Sequence, residues 1–221
     1  MRLTSFRCLA IDHDDTVVRS TPDIHYPSFV ETLSLLRPNV PVPTLSEFIE
    51  ANCHKGFAAI CDELGFTPAE MDVEADMWHK WTYHTVPHAY PGIDTLLSDF
   101  RRAGGYICVV SHSETRVILR DYDARFHMEP DLIFSWDLPR EKRKPDPYAL
   151  HEIEKKLALS PSDILVLDDM SLGLTMARRG GASFAWAGWS ETAPVVGDYM
   201  RAHADYTFDT PQALRDFLIA D

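Results

Sequence analysis

The run Phe6-Arg7-Cys8-Leu9-Ala10-Ile11 is nearly all apolar and ends abruptly in Asp12-His13-Asp14-Asp15. A strand of this make-up must be covered on both faces, because a continuous apolar run, unlike an alternating one, leaves no face for water. Three more runs repeat the arrangement at 106–110, 131–135 and 164–167, and a shorter one lies at 183–187. Helical patterns fall between them at 92–103, 114–121, 147–157 and 172–179. Strands alternating with helices specify an α/β fold, a doubly wound, Rossmann-like parallel sheet with helices on both sides. Ligands of such sheets bind at the carboxyl ends of the strands, which is where the acids fall.

Between the first and second strands the pattern changes. Phe29-Val30-Leu33-Leu36, Phe48-Ile49, Phe57-Ile60-Leu64 and Met77-Trp78-Trp81 all recur at helical spacing with no strand among them. Pro87 and Pro91-Gly92 mark the return to the sheet. The expected organisation is a core of residues 1–17 and 88–221 carrying an inserted, all-helical cap of residues 18–87. Met77, Trp78, Trp81, Tyr83 and His84 are expected to form the cap's core, since aromatic rings contribute much buried area in small helical units, with a cap face exposed for dimerisation or substrate contact as the alternative. Trp186 and Trp189 are expected to cover the sheet edge or frame the rim of the site.

The 221 residues suffice for one large domain, or for a core with a smaller insert. A net charge of -13 argues against a nucleic-acid or anionic-membrane partner, because phosphate backbones are bound by neutralising them with Lys and Arg. A small anionic substrate remains compatible, since a bound cation reverses the local sign. No stretch approaches the roughly 20 apolar residues of a membrane span, and the N-terminus lacks the pattern of a secretory signal. Cys8, Cys53, Cys61 and Cys108 have neither zinc spacing nor the density of a disulfide framework. They read as thiols of a protein in a reducing cytoplasm, as either monomer or homodimer.

Four stations carry the chemistry. Asp12 and Asp14 close the first run; Ser111, followed by His112 and Ser113, closes the second; Lys144 lies in Arg143-Lys144-Pro145-Asp146-Pro147; and Asp168-Asp169 close the run 164–167. Taken singly, each has a plain structural use: Ser111 as a helix cap, Lys144 as a solvated loop residue, the acid pair as a turn. Taken together, at strand ends and in this order, they concentrate negative charge that is costly unless a cation, a proton or catalysis uses it.

In this order and context the chain resembles the haloacid dehalogenase superfamily, most closely its branch of phosphoglycolate phosphatase-like enzymes and β-phosphoglucomutase. The resemblance runs through the helical cap and Tyr90-Pro91-Gly92 and covers nearly the whole chain. It implies that Asp12 is a nucleophile forming an aspartyl-phosphate and that Asp14 is a general acid and base. It further implies that Ser111 bonds a phosphoryl oxygen, Lys144 neutralises it, and Asp12, the Asp14 carbonyl, Asp168 and Asp169 hold Mg²⁺. Thr16 is expected to hold the first loop through its backbone. His112 and the cap residue Lys55 are candidate substrate contacts, with an exposed lysine as the plain alternative for Lys55. His25 and Tyr26 are expected either to line the cleft or to pack at the hinge. The implied activity is hydrolysis of a small phosphorylated metabolite, with a phosphomutase, or a silent binding protein of the same fold, as alternatives. Four positions depart from the family pattern: Asp15 replaces a usual Gly, His13 a usual apolar residue, His112 a usual Asn, and Gly173 stands where many relatives place another acid.

Overall fold

The computed structural model describes residues 1–190 and 193–220. A short strand β1 (Arg2–Leu3) precedes β2 (Cys8–Ile11), the first of the buried runs. A π-helical turn (Thr21–His25) then leads into four helices, α1 (Tyr26–Leu36), α2 (Leu45–Lys55), α3 (Phe57–Glu63) and α4 (Pro68–His84). The alternating part begins with α5 (Ile93–Arg102), β3 (Tyr106–Val110), α6 (Thr115–Phe126) and β4 (Leu132–Phe134). It continues through α7 (Tyr148–Leu157), β5 (Ile164–Asp168), α8 (Ser171–Gly180) and β6 (Ser183–Ala187). The chain closes with α9 (Pro194–His203), β7 (Tyr206–Phe208), α10 (Pro211–Leu218) and β8 (Ile219–Ala220).

Six strands form one parallel sheet in the order β4-β3-β2-β5-β6-β7, and β1 pairs with β8 in a separate antiparallel ribbon. Winding therefore proceeds one way from β2 and the other way from β5, and the crevice of a doubly wound sheet opens where that direction reverses. Both sheet faces are dry, as the unbroken apolar runs require. Leu9, Ile11, Ile107, Val109, Leu165 and Leu167 pack with Leu96, Phe100, Ile118 and Leu214 on one side. Cys8, Ala10, Cys108, Val110 and Val166 pack with Leu150, Ile153, Met176 and Met200 on the other. The strand period of two thus serves two cores at once.

Helix α6 runs past Asp121 to Phe126, because Tyr122 and Phe126 continue its apolar stripe and meet edge to face at 5.3 Å. Strand β7 and helices α9 and α10 lie beyond the last element read from the sequence.

The helices between β2 and β3 have their own small core of Phe29, Leu33, Phe48 and Ile60. The aromatic residues of α4 are not that core, contrary to expectation. Trp81 donates to Glu31 at 2.7 Å and Tyr83 to Glu114 at 3.0 Å, while His84 is exposed. Indole and phenol donors each need an acceptor when packed, which draws these rings to polar junctions. Capping boxes start two of the helices, Thr44 with Glu47 on α2 and Thr67 with Glu70 on α4. Glu70 also takes two hydrogen bonds from Arg37, at 2.7 and 3.0 Å, and these, with the Thr67 backbone, draw its carboxyl down from 4.5 to about 2. A carboxyl lowered on folding stabilises above its unfolded value and ceases to do so as pH falls through its folded one. The melting-temperature difference between wild type and Glu70→Gln should accordingly be steady above pH 4.5 and shrink toward pH 2. A difference that does not change over that range in a thermal-melt series would refute the assignment.

Two bonds join the chain where it leaves and re-enters the sheet layer: Tyr90 N donates to Val17 O at 3.1 Å and Arg19 N to His88 O at 2.8 Å. No helix among the described residues is long and apolar enough to cross a membrane.

Candidate active site

The pairing register sets Ile11 against Leu167, so the next residues, Asp12 and Asp168, stand side by side at the carboxyl ends of β2 and β5. Like charges on neighbouring strands repel. Lys144 resolves this: its ammonium reaches between them, 2.8 Å from Asp12 Oδ1 and 2.7 Å from Asp168 Oδ2, and only 5% of its side chain is exposed. Burial alone would lower the lysine's pKa, but the charges of Asp12 and Asp168 outweigh it and raise it. Asp168 is pushed up to about 6 by burial and by the charge of Asp12, against the pull of Lys144. Its second oxygen, Oδ1, accepts from Met170 N at 2.8 Å.

Among the described residues, Asp169 is the least satisfied of the three clustered acids, Asp12, Asp168 and Asp169. Its carboxylate oxygens receive, among the described residues, two long bonds, from Thr16 Oγ1 and Ser190 Oγ, both at 3.3 Å. Burial and the charges of Asp168, Asp12 and Asp15 raise its pKa well above the ordinary carboxyl value. Asp12, Asp168 and Asp169 each offer an oxygen within 4.8 Å of the others. An all-carboxylate set of this kind, short of donors, suits a hard divalent cation.

Asp14 is held quite differently. Ser20 donates to Oδ1, while Ser113 donates to Oδ2 at 2.6 Å and Ser111 approaches the same oxygen at 3.4 Å. Burial would raise this carboxyl, yet the charges of His13 and His25 and the serine hydroxyls prevail and lower it. Asp14 is therefore kept ionised. Asp15, where the family pattern has Gly, adopts the left-handed backbone with φ +53°, a conformation that aspartate tolerates better than most residues. Its carboxylate binds both the backbone N–H and the hydroxyl of Thr21, tying the nucleophile loop to the first turn of the insert. His13 is buried, with Nε2 3.1 Å from Asp121 Oδ2 on α6, and its ring stacks with Tyr122. That pair anchors the loop from below.

These groups open into a cavity of about 440 Å³ between the strand ends and the helical insert. Asp12, Asp14, Asp168, Asp169, Lys144 and His112 line it, as does His25, whose Nδ1 accepts the indole N–H of Trp78 at 3.0 Å. Tyr26 instead packs with Phe48 and donates to Pro43 O at 2.7 Å. Ser111 is buried beside Asp14 and does not line the cavity. Thr16 bonds the Asp169 carboxylate, where a bond to the loop backbone was expected. The loop is held from outside by Trp189, which donates to Thr16 O at 3.0 Å, and Trp186 lies buried beneath the site, donating to Asp169 O at 3.1 Å. Lys55 is not a cavity residue. It ends α2 rather than beginning a helix, and its ammonium turns across Gly56 to pair with Glu63 on α3. Ser20, Ser113, Glu74 and Trp78 join the site without having been singled out for it from the sequence.

Gly173 completes the cradle: a Cβ there would lie 2.3 Å from Asp168 Oδ2 and 2.4 Å from Asp168 Cβ. Gly173→Ala is expected to force Asp168 off its partners and to cost about 1–3 kcal/mol, the usual penalty of overpacking. Urea unfolding checks this, and an unchanged midpoint would show that α8 shifts freely.

Strand order, switch point and acid cluster define a class, and the chain's own matches agree with it. Residues 6–181 match the haloacid dehalogenase-like hydrolases, and the chain belongs to that family. It is 23% identical to a phosphoglycolate phosphatase of Vibrio cholerae serotype O1, over 94% of each chain. Among solved structures it is similar to a predicted phosphoglycolate phosphatase from Haemophilus somnus 129PT, with a TM-score of 0.79 and 18% identity, covering 96% of this chain and 97% of that one. It is also similar to CbbY from Rhodobacter sphaeroides, solved with phosphate, with a TM-score of 0.68 and 20% identity, covering 95% and 96%.

Proposed function

We propose that this protein is a cytoplasmic, Mg²⁺-dependent phosphatase that hydrolyses a small phosphorylated metabolite through a phosphorylated Asp12. The observation carrying the proposal is Lys144 seated between Asp12 and Asp168, with Asp169 beside them. Asp12, the Asp14 carbonyl, Asp168 and Asp169 would hold Mg²⁺, which supplies the positive charge that an incoming phosphoryl dianion needs among so many acids.

The rest is done by the chain's own groups. An Asp12 carboxylate oxygen attacks phosphorus, a P–O bond to Asp12 forms, and the ester P–O bond breaks. Asp14 protonates the departing alkoxide, then takes a proton from the water that attacks the phospho-enzyme and frees Asp12 and inorganic phosphate. Because the charges of His13 and His25, with the serine hydroxyls, hold Asp14 ionised, its base role is ready in the resting site, and its acid role requires a proton taken up with the substrate. Lys144 stabilises charge gathering on Asp12 and the phosphoryl oxygens. The helices of residues 18–87 act as a cap that excludes water and shapes the leaving-group end of the cavity.

Phosphate release from a panel of phosphomonoesters, with Mg²⁺ and with EDTA, tests the proposal, together with intact-mass detection of a phosphoryl adduct on rapid quench. Release in EDTA equal to that in Mg²⁺, or no release at all, would overturn it. The adjacent acids Asp168-Asp169 also suit a phosphomutase, for which the product would be an isomerised sugar phosphate instead of free phosphate.

A further inference from the structure

Glu74 is a buried carboxyl on α4 that the chemistry above does not use. It lines the same cavity as Asp12, yet only 8% of its surface is exposed. No hydrogen bond or opposite charge faces it among the described residues; burial alone acts on it, and raises its pKa. A buried carboxyl without a donor is costly, and such groups persist where a ligand supplies what the protein does not.

Its surroundings say what kind of ligand. Trp78 stands one helical turn on, at i+4, and so shares the face of α4 that meets the cavity. Phe48 and Phe57 line it too, so the cavity that Glu74 enters carries three aromatic rings. Lys144 is the only Lys or Arg among the described residues lining the cavity, and Asp12 and Asp168 already claim it. His25 lines the cavity as well, with its Nδ1 already taken by the Trp78 N–H. A substrate whose second end is a carboxylate or phosphate would meet Glu74 with no uncommitted Lys or Arg among the described lining residues to neutralise it. An ammonium would gain both the carboxylate and the ring faces.

We propose that Glu74, with Phe48, Phe57 and Trp78, seats an ammonium group at the leaving-group end of the substrate, which makes phosphorylated amino alcohols the preferred class. The proposal rests on the phosphatase reading for the Asp12 end, and selects against leaving groups with a second anion, phosphoglycolate included.

The test is the ratio of kcat/KM for phosphocholine or phosphoethanolamine to that for phosphoglycolate, which is independent of the fraction of enzyme folded. Wild type should favour the ammonium-ended compounds, Glu74→Gln should lower the ratio by roughly tenfold or more, and Glu74→Lys should invert it. A wild-type preference for phosphoglycolate, or a ratio that Glu74→Gln leaves alone, overturns the proposal. Calorimetric titration of phosphocholine into Asp12→Asn and into Asp12→Asn/Glu74→Gln separates the two readings without turnover. Glu74-dependent binding with no hydrolysis of any compound by wild type would uphold the ammonium seat and sink the phosphatase reading. Glu74-independent binding, or no binding, together with no hydrolysis would sink both.

Discussion

Asp12→Asn is expected to reduce phosphate release by roughly 10⁴-fold or more while leaving the metal-free protein at least as stable as wild type. Removing a nucleophile abolishes the covalent route, and what persists is the residual rate from positioning and charge. Stability should move the other way because Lys144 faces two carboxylates at once, 2.8 Å from one and 2.7 Å from the other. With Asp12 neutral, Lys144 keeps Asp168 as a one-to-one partner, and the repulsion across the β2–β5 register falls. Such opposition between stability and activity is characteristic of sites built for chemistry. Phosphate release and thermal melting in EDTA together decide it. A clear loss of melting temperature in Asp12→Asn would mean that the acids were compensated by more than Lys144.

Lys144→Met should lose both properties. It removes the ammonium seated between two buried acids, and breaking a buried pair by deleting one partner costs about 3–5 kcal/mol. Excess Mg²⁺ should recover part of this, about 2.7 kcal/mol at a concentration 100 times its dissociation constant. The effect of pH has a definite sign. Asp168 already sits near 6 against an ordinary value of 3.8, and loss of Lys144 raises it further. A carboxyl whose folded pKa is raised binds its proton better in the native state, so stability falls as pH climbs through that interval. The penalty of Lys144→Met in EDTA should therefore be smaller at pH 5 than at pH 8, as read by urea midpoints. Equal penalties would indicate that Asp168 and Asp169 are not charged neighbours in the metal-free protein.

The sheet was legible because β2, β3 and β5 are short, unbroken apolar runs, and a strand buried on both faces has no other way to read. Their terminal residues were legible with them, since three runs that end in acids or a serine, with Lys144 between them in the chain, are harder to explain together than singly. Strand β7 was not, because Tyr206–Phe208 is a three-residue edge strand with no fully buried residue. Ser113 and Ser20 were missed for another reason: their hydroxyls matter only through Asp14, a partner distant in sequence from Ser113 and reached from Ser20 through a turn. Glu74 sits in α4 among Glu70, Asp72 and Asp76, where a run of acids reads as a solvated face. Only its one-turn spacing from Trp78 hinted that it points elsewhere. Lys55 had two readings from its place in the chain, and its pairing with Glu63 favours the plain one.

The paired crossing of the chain at Val17–Tyr90 and Arg19–His88 has a further consequence. Because the two ends of the helical segment meet as bonded neighbours, the sheet sees only a closed gap of fixed width, whatever the length of chain beyond it. Helices of another size or shape could be grafted beyond those two stems as long as Ser20 and Thr21, which bond Asp14 and Asp15, are kept. On the proposed reading, drift beyond that first turn would change what is admitted while Asp12, Asp168 and Lys144 stay where the sheet puts them.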